Sequence, residues 1–297
     1  MVTGAGRGIG RAHALALSAA GYAVVVNDRG GAADGAGADG GPAAEVVAEI
    51  RAAGGTALAS AHDVTSFDEA GELIGTVIEG LGRLDVVITN AGILRDRMLT
   101  SMTEAEWDAV IAVHLKGTYT VAHHAAVHWR ARAKAGEPVD ARLITTTSAS
   151  GLFGNVSQSN YAAAKAGVAG FTLVAAAELA PYGVRVNCLS PSARTRLTEA
   201  GLAAMGDTGA ELGSRLDPGR VAEVAVWLCG PEGRGVTGRV FDVRGPEVAV
   251  ASGWHLPVVH HVEGRDLAEV LRAAVAEAEP NAGMDGRRPA MSQEPTP

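Results

Sequence analysis

A series of short apolar stretches, rich in Val, Ile, Leu and Ala, recurs along the chain at Ala23 to Asn27, Thr56 to Ala61, Leu84 to Thr89, Arg142 to Thr147, Val184 to Ser190 and Val240 to Val243. Each is short, continuous and bounded by polar or glycine-rich residues, so each reads as a buried strand. Between them the apolar positions take a helical period over 42 to 53, 67 to 81, 103 to 132, 158 to 180 and 219 to 229, and another amphipathic helix begins near Arg11. Strand and helix in alternation predict an α/β fold, a doubly wound parallel sheet with right-handed crossovers. Residues 1 to 278 are read as one domain, closing with a helix over 266 to 278, and 279 to 297 as a disordered tail. Loops at the C-terminal ends of the strands are where such a sheet binds its ligand.

The first of these loops is rich in glycine. Gly4, Gly6, Gly8 and Gly10 crowd the run VTGAGRGIG, which opens a helix. Bare backbone at a helix N-terminus suits a pyrophosphate, because nothing keeps the phosphate from the N–H groups and the helix dipole favours its charge. Glycines also serve plain turns, so the run alone is weak. The spacing is T-G-x-x-x-G-x-G rather than G-x-G-x-x-G, since Ile9 stands where the latter needs glycine. Asp28 closes the next strand eighteen residues after Gly10. A carboxylate at that distance accepts from a ribose 2′-hydroxyl and repels a 2′-phosphate, which favours NAD over NADP. A turn or capping aspartate is the alternative, and Arg7 and Arg29 lie near enough to pair with a phosphate.

A second constellation carries proton chemistry. Ser148 follows the strand LITTT, Tyr161 comes thirteen positions later, and Lys165 stands four beyond it in the helical run NYAAAKAG. Residues at i and i+4 share a helix face, so the ammonium can act on the phenol. An ordinary tyrosine has a pKa of about 10, and a neighbouring cation moves it toward useful acid/base behaviour. A solvated Tyr/Lys pair beside a turn serine is the plain alternative.

Taken in order, TGAGRGIG (3 to 10), Asp63-Val64, NAG (90 to 92), Ser148, YAAAK (161 to 165) and NCLSP ending at Pro191 resemble the short-chain dehydrogenase/reductase family, single-domain type with a Rossmann-type sheet. The segments VVNDRGG, NAGILRDRM, EWDAVIAVHLKGTY and SASGLFGN resemble more closely the (3R)-hydroxyacyl-CoA dehydrogenase unit of peroxisomal multifunctional enzyme type 2 and its bacterial single-domain relatives. The resemblance implies oxidation of a secondary alcohol with NAD, the substrate being of acyl-CoA or steroid class. Tyr161 is then the base, Ser148 the group that orients the substrate oxygen, and Lys165 the residue that holds the nicotinamide ribose and lowers the tyrosine pKa. Gly4, Arg7, Gly8, Ile9, Gly10, Asp28, Asp63, Val64, Asn90, Ala91, Gly92 and Pro191 line the cofactor together with Tyr161 and Lys165. The resemblance also implies a homodimer or homotetramer.

Two departures from the family pattern stand out. His114, in VHLKG, replaces the usual asparagine, which in the family helps to hold a water beside the lysine. It is either a member of that relay or a structural helix histidine. The first strand has only Met1 to Thr3 available, where a strand of typical length needs about five residues. It is expected to be truncated, with a start upstream of Met1, and with lower stability and cofactor affinity in its absence.

Composition narrows the classes further. A net charge of −8 and a pI near 5.6 argue against nucleic acid. No apolar run of membrane-spanning length and no signal peptide is read. Cys188 and Cys229 read as reduced buried thiols, which places the protein in the cytoplasm. His123, His124 and His128 lack converging carboxylates, so no metal site is expected. The loop 29 to 42 reads as a mobile linker, with a flank of the adenosine pocket as the alternative, and 192 to 217 as a lid over the substrate, with an ordinary surface helix as the alternative. An NADPH-dependent 3-oxoacyl carrier-protein reductase and a non-catalytic nucleotide-binding protein are the other functional classes. The first would place a basic residue at position 28, and the second has no use for Tyr161.

Overall fold

The computed structural model describes residues 1–193, 216–253, 259–261, 263–264, 266–279 and 281–287. The runs VVVN and VVIT form β2 (Val24–Asn27) and β4 (Val86–Thr89), and every residue in them is buried. Continuous apolar strands of this kind need cover on both faces, which parallel α/β sheets provide. With β1 (Val2–Thr3), β3 (Ala57–Ser60), β5 (Ala141–Thr146), β6 (Val184–Ser192), β7 (Val240–Arg244) and β8 (Glu247–Val250) they make one sheet, ordered β3-β2-β1-β4-β5-β6-β7-β8. Pairing is parallel throughout except between β7 and β8. The strand order reverses at β1 and β4, and the crevice above that point is where such sheets take a ligand. Periodicity does not predict β8, because all of its residues are exposed on a hairpin edge.

The helices are α1 (Gly8–Ala19), α2 (Gly41–Ala52), α3 (Phe67–Leu81), α4 (Glu104–Ile111), α5 (Gly117–Lys134), α6 (Ala149–Phe153), α7 (Ser159–Leu179), α8 (Pro218–Cys229) and α9 (Leu267–Glu277). Side-chain alternation along the strands divides the core between the two faces. Val24, Val26, Ile88 and Ile144 pack with Leu17, Val46, Ile50 and Leu228. Val25, Val87 and Leu143 pack with Leu73, Val77, Val121 and Trp129 on the other side. The helix start expected near Arg11 lies at Gly8, since the glycine turn passes directly into helical backbone. The single helix expected over 103 to 132 is divided by a π turn at Ala112–Lys116. Such a turn inserts a residue and re-aims its side chains, and π turns concentrate at functional sites.

By length and mean hydropathy alone, Ser159–Tyr182 could cross a membrane, contrary to the reading that no such run exists. In the fold it lies against the sheet, with Asn160, Lys165 and Thr172 among its buried residues. β1 has only Val2 and Thr3, as the short N-terminal run predicts. A cavity of about 730 Å3 opens at its foot, lined by Met1, Tyr22, Val24, Leu84, Val86 and Arg142 among others. There the Met1 amino group donates to the Val86 carbonyl at 2.9 Å, and burial pushes it down to about 6. In the segment read as a disordered tail, Gly283 N–H donates to Arg287 O at 3.0 Å, closing a turn; residues 288–297 lie outside the described residues.

Candidate active site

β1 ends at Thr3, and the chain enters α1 through Gly4 at φ +61° and Gly8 at φ +54°. Backbone of that hand suits glycine, which has no Cβ to collide with the following carbonyl. Space dictates Gly10, where a Cβ would stand 2.1 Å from the Gly4 carbonyl oxygen. Asn90 braces the same turn, its Nδ2 donating to Thr3 O at 3.2 Å and Gly4 O at 3.1 Å. Asp28 ties the turn to β2: one carboxylate oxygen accepts from Gly6 N–H at 2.8 Å and the other from Gly30 N–H at 2.6 Å. No side chain caps the first N–H groups of α1. An uncapped helix N-terminus behind bare glycine backbone is a cradle for phosphate, so the residues present fit a dinucleotide.

A cavity of about 210 Å3 lies over this cradle. Of the residues expected there, Gly4, Arg7, Gly8, Ile9, Asp28, Asp63, Val64, Asn90, Ala91 and Gly92 line it. Gly10 serves packing instead, and Pro191 lies beyond the lining, on β6 opposite Val243. Asn27, His62, Thr65, Ile93 and Val113 line the cavity as well. Asn27, Ile93 and Val113 fall inside the segments that resemble the family, but no single position among the five signals a ligand contact: Asn27 ends β2, Val113 sits in the π turn, and His62, Thr65 and Ile93 are loop residues. Arg29 is engaged by Asp63 at 2.5 Å, while exposed Arg7 donates to Gly31 O at 3.3 Å. The loop 29 to 42 flanks the pocket, the alternative to the mobile linker expected from its composition. Leu94 N–H donates to Ala33 O and Arg95 Nε to Asp34 O, both at 3.0 Å, and Gly31, Ala32, Gly35 and Gly37 line the cavity. Small residues let this backbone fold closely: a Cβ on Gly30 would stand 1.5 Å from Asp39 O.

Ser148, Tyr161 and Lys165 meet beside the C-terminal end of β5. Ser148 caps α6, its Oγ accepting from Ser150 N–H at 3.2 Å, and its side chain lies close enough to the Tyr161 phenol to favour the ionised form. α7 lies against α6 because residue 151 is glycine, where a Cβ would stand 2.6 Å from Lys165 Cβ. Lys165 is buried, and its Nζ donates to Thr146 O at 2.7 Å while standing 5.6 Å from the Tyr161 ring centroid. Burial pushes the Tyr161 hydroxyl up to about 12, opposed by the neighbouring Ser148, and pushes Lys165 down to about 8. The expectation that the lysine acidifies the tyrosine is therefore corrected for this state. Desolvation outweighs a cation whose hydrogen bond is directed at a strand carbonyl.

His114 sits in the π turn, buried, with its ring edge-on to Tyr161 at 5.0 Å between centroids. Its Nε2 lies 2.8 Å from Ile93 O and 3.1 Å from Ile93 N, and Nδ1 is buried without a hydrogen-bond partner. Burial, with Lys165 nearby, holds it well below the usual histidine range, so it is neutral. Away from the site, His123 and His124 pack around Phe67, and Cys188 and Cys229 are buried free thiols. The lid expected over 192 to 217 falls almost wholly outside the described residues.

The family model described as short chain dehydrogenase matches residues 1–201. The chain belongs to the short-chain dehydrogenase family. It is 45% identical over 262 residues to hydroxyacyl-CoA dehydrogenase ChsB1 of Mycobacterium tuberculosis, covering 86% of this chain and 80% of that protein. It is 41% identical over 230 residues to peroxisomal multifunctional enzyme type 2 of Mus musculus, covering 77% of this chain and 29% of that longer protein. A crystal structure of a short chain dehydrogenase from Mycobacterium avium matches with a TM-score of 0.82 and 47% identity, covering 95% of both chains. This short-chain dehydrogenase is an oxidoreductase acting on CH–OH groups, in a family that uses NAD or NADP.

Proposed function

We propose that this short-chain dehydrogenase oxidises the secondary alcohol of a 3-hydroxyacyl-CoA with NAD. The observation that carries the reading is the meeting of Ser148, Tyr161 and Lys165 beside a glycine cradle rimmed by the Asp28 carboxylate. The Ser148 hydroxyl orients the substrate oxygen, and Tyr161 exchanges its proton. In oxidation the phenolate takes the alcohol proton; in the reverse direction the phenol returns it to the carbonyl oxygen. A tyrosine pushed up to about 12 is set to donate, so oxidation needs added positive charge close to the phenol. Bound NAD supplies the hydride acceptor. Lys165, near Thr146 and Tyr161, would hold its ribose, and Asp28 would favour a free 2′-hydroxyl over a phosphate.

The substrate class rests on the likeness to the two hydroxyacyl-CoA and multifunctional relatives. Exposed Leu173 and Val174 on α7 support self-association as a dimer or tetramer. Two buried, unpaired thiols support a reducing compartment, the cytoplasm. The test is NADH formation across 3-hydroxyacyl-CoA lengths, CoA thioesters of steroid side chains and free hydroxysteroids. Turnover confined to free hydroxysteroids would remove the acyl-CoA assignment. A strong preference for NADPH with carrier-protein-linked ketones would replace it with the reductase.

A further inference from the structure

The loop leaving β4 runs from the cofactor pocket to the turn in front of Tyr161. Asn90 to Ile93 line the pocket. The next residues are joined one by one to 157–160: Asn160 Nδ2 donates to Arg95 O at 3.0 Å, Gln158 Nε2 to Asp96 Oδ2 at 2.8 Å, and Arg97 N–H to Ser157 O at 2.8 Å. Ser157, at φ +67°, is the non-glycine residue with left-handed backbone among the described residues. Such a conformation persists where its surroundings over-determine it, and it concentrates at functional sites.

Gln158 is the centre of this join. It is buried, and its Oε1 accepts from Ser150 Oγ at 2.7 Å and from Asn155 Nδ2 at 3.0 Å while the amide nitrogen serves Asp96. Ser150 in turn donates its N–H to Ser148 Oγ. One carboxamide thus connects the cofactor-side loop, the helix headed by Ser148 and the first turn of the helix that carries Tyr161. An apolar side chain at 158 would leave Asp96 Oδ2 and Ser150 Oγ without these bonds, which is costly where water is excluded.

We propose that Asp96 and Gln158 are positioning residues of the hydride-transfer site, fixing the loop that leaves the cofactor pocket onto the turn that aims Ser148 and Tyr161. The proposal rests on the dehydrogenase reading above. Asp96 also acts through its charge. The groups that bear on the phenol are His114 from the π turn, neutral and edge-on to it; Lys165 from α7; Ser148 from the head of α6; and the Asp96 carboxylate, held by Gln158 at the turn before α7, whose charge raises the tyrosine. From α4, Glu106 is paired with Arg97 at 3.1 Å. Removing the Asp96 charge therefore makes Tyr161 more acidic, while an asparagine at 96 still accepts from Gln158.

The test measures kcat and KM against pH for the full chain with NAD and the best 3-hydroxyacyl-CoA. Asp96→Asn is expected to move the acid limb of kcat to lower pH with the KM for NAD within about twofold of the parent. Gln158→Leu is expected to lower kcat about tenfold or more, leaving that limb in place. If Gln158→Leu does not fold, Gln158→Glu sets a carboxylate against Asp96, and its loss is expected to be relieved by adding Asp96→Asn. A pH profile for Asp96→Asn that overlies the parent, or full activity in Gln158→Leu or Gln158→Glu, overturns the proposal. Should the parent turn over no alcohol, the dehydrogenase reading fails by itself. The pair is then read from the phenolate absorbance of Tyr161, identified against Tyr161→Phe, which must rise at lower pH in Asp96→Asn.

Discussion

His114 holds the backbone of Ile93 from across the site, its Nε2 lying 2.8 Å from the carbonyl oxygen and 3.1 Å from the amide nitrogen. The imidazole thereby fixes the loop that carries Asn90, Ala91 and Gly92, and Gly92 is bare because a Cβ there would stand 2.4 Å from His114 Cε1. His114→Ala is expected to weaken NAD binding and lower kcat/KM by about tenfold to a hundredfold. Gly92→Ala should damage activity in the parent and far less in the His114→Ala background, where the collision is absent. Because His114 is held well below its ordinary range, it should contribute no limb to the pH–rate profile near neutrality. A limb abolished by His114→Ala would assign it a proton-carrying role instead.

Asp28 has two duties, since the carboxylate that would meet the ribose also accepts from Gly6 and Gly30. Asp28→Ala should shift the ratio of kcat/KM for NAD and NADP toward NADP and weaken both cofactors by loosening the glycine turn. Asp28→Asn, which keeps one acceptor, should show the shift with less of the weakening. An unchanged ratio in both variants would remove Asp28 from cofactor selection.

Tyr161→Phe takes away the exchangeable proton and little volume. Turnover should fall by about a hundredfold to ten-thousandfold, with NAD binding by fluorescence titration retained. Comparable activity across the acyl-CoA panel would sink the mechanism.

His13 is fully buried in α1, both ring nitrogens lack partners, and burial pushes it down to about 4. The folded protein keeps it neutral while the unfolded chain protonates it near its ordinary 6.5. Stability is therefore full above the unfolded value and is lost as pH falls from there toward the folded value, by on the order of 3 kcal/mol. Chemical unfolding at about pH 7.5 and about pH 5 should show about 2 kcal/mol of this loss, and His13→Leu should flatten it.

The cavity at the foot of β1 is bounded by β2 and β4, which both run past a central strand of Val2 and Thr3. Adding about four β-branched residues ahead of Met1 would fill it with paired strand and should raise the melting temperature. A charged extension of the same length should not. Equal melting temperatures for the two would show that the cavity has no use for a strand.

Much of this protein is determined locally. Apolar runs bounded by polar and glycine residues mark β2 to β7, because strands that are mostly buried have little freedom in their composition, and an i, i+4 pair such as Tyr161 and Lys165 must share a helix face. Gly4, Gly8 and Gly10 are legible because backbone sterics admit nothing larger. Other features depend on what lies opposite. Loop 29 to 42 looks like a linker until Leu94 and Arg95 bond to it, and Gln158 looks like any surface amide until Asp96 and Ser150 meet it. Tyr161 differs in the same way: its neighbour in sequence is a cation, yet its acidity is set first by burial, then by Ser148 and by Asp96 from other segments. Dihedral preference and hydrophobic period act within a few residues, and the sequence states them directly. Desolvation and hydrogen-bond partnership act across space, and for Tyr161, His114 and Gln158 only the packed sheet and its loops decided them.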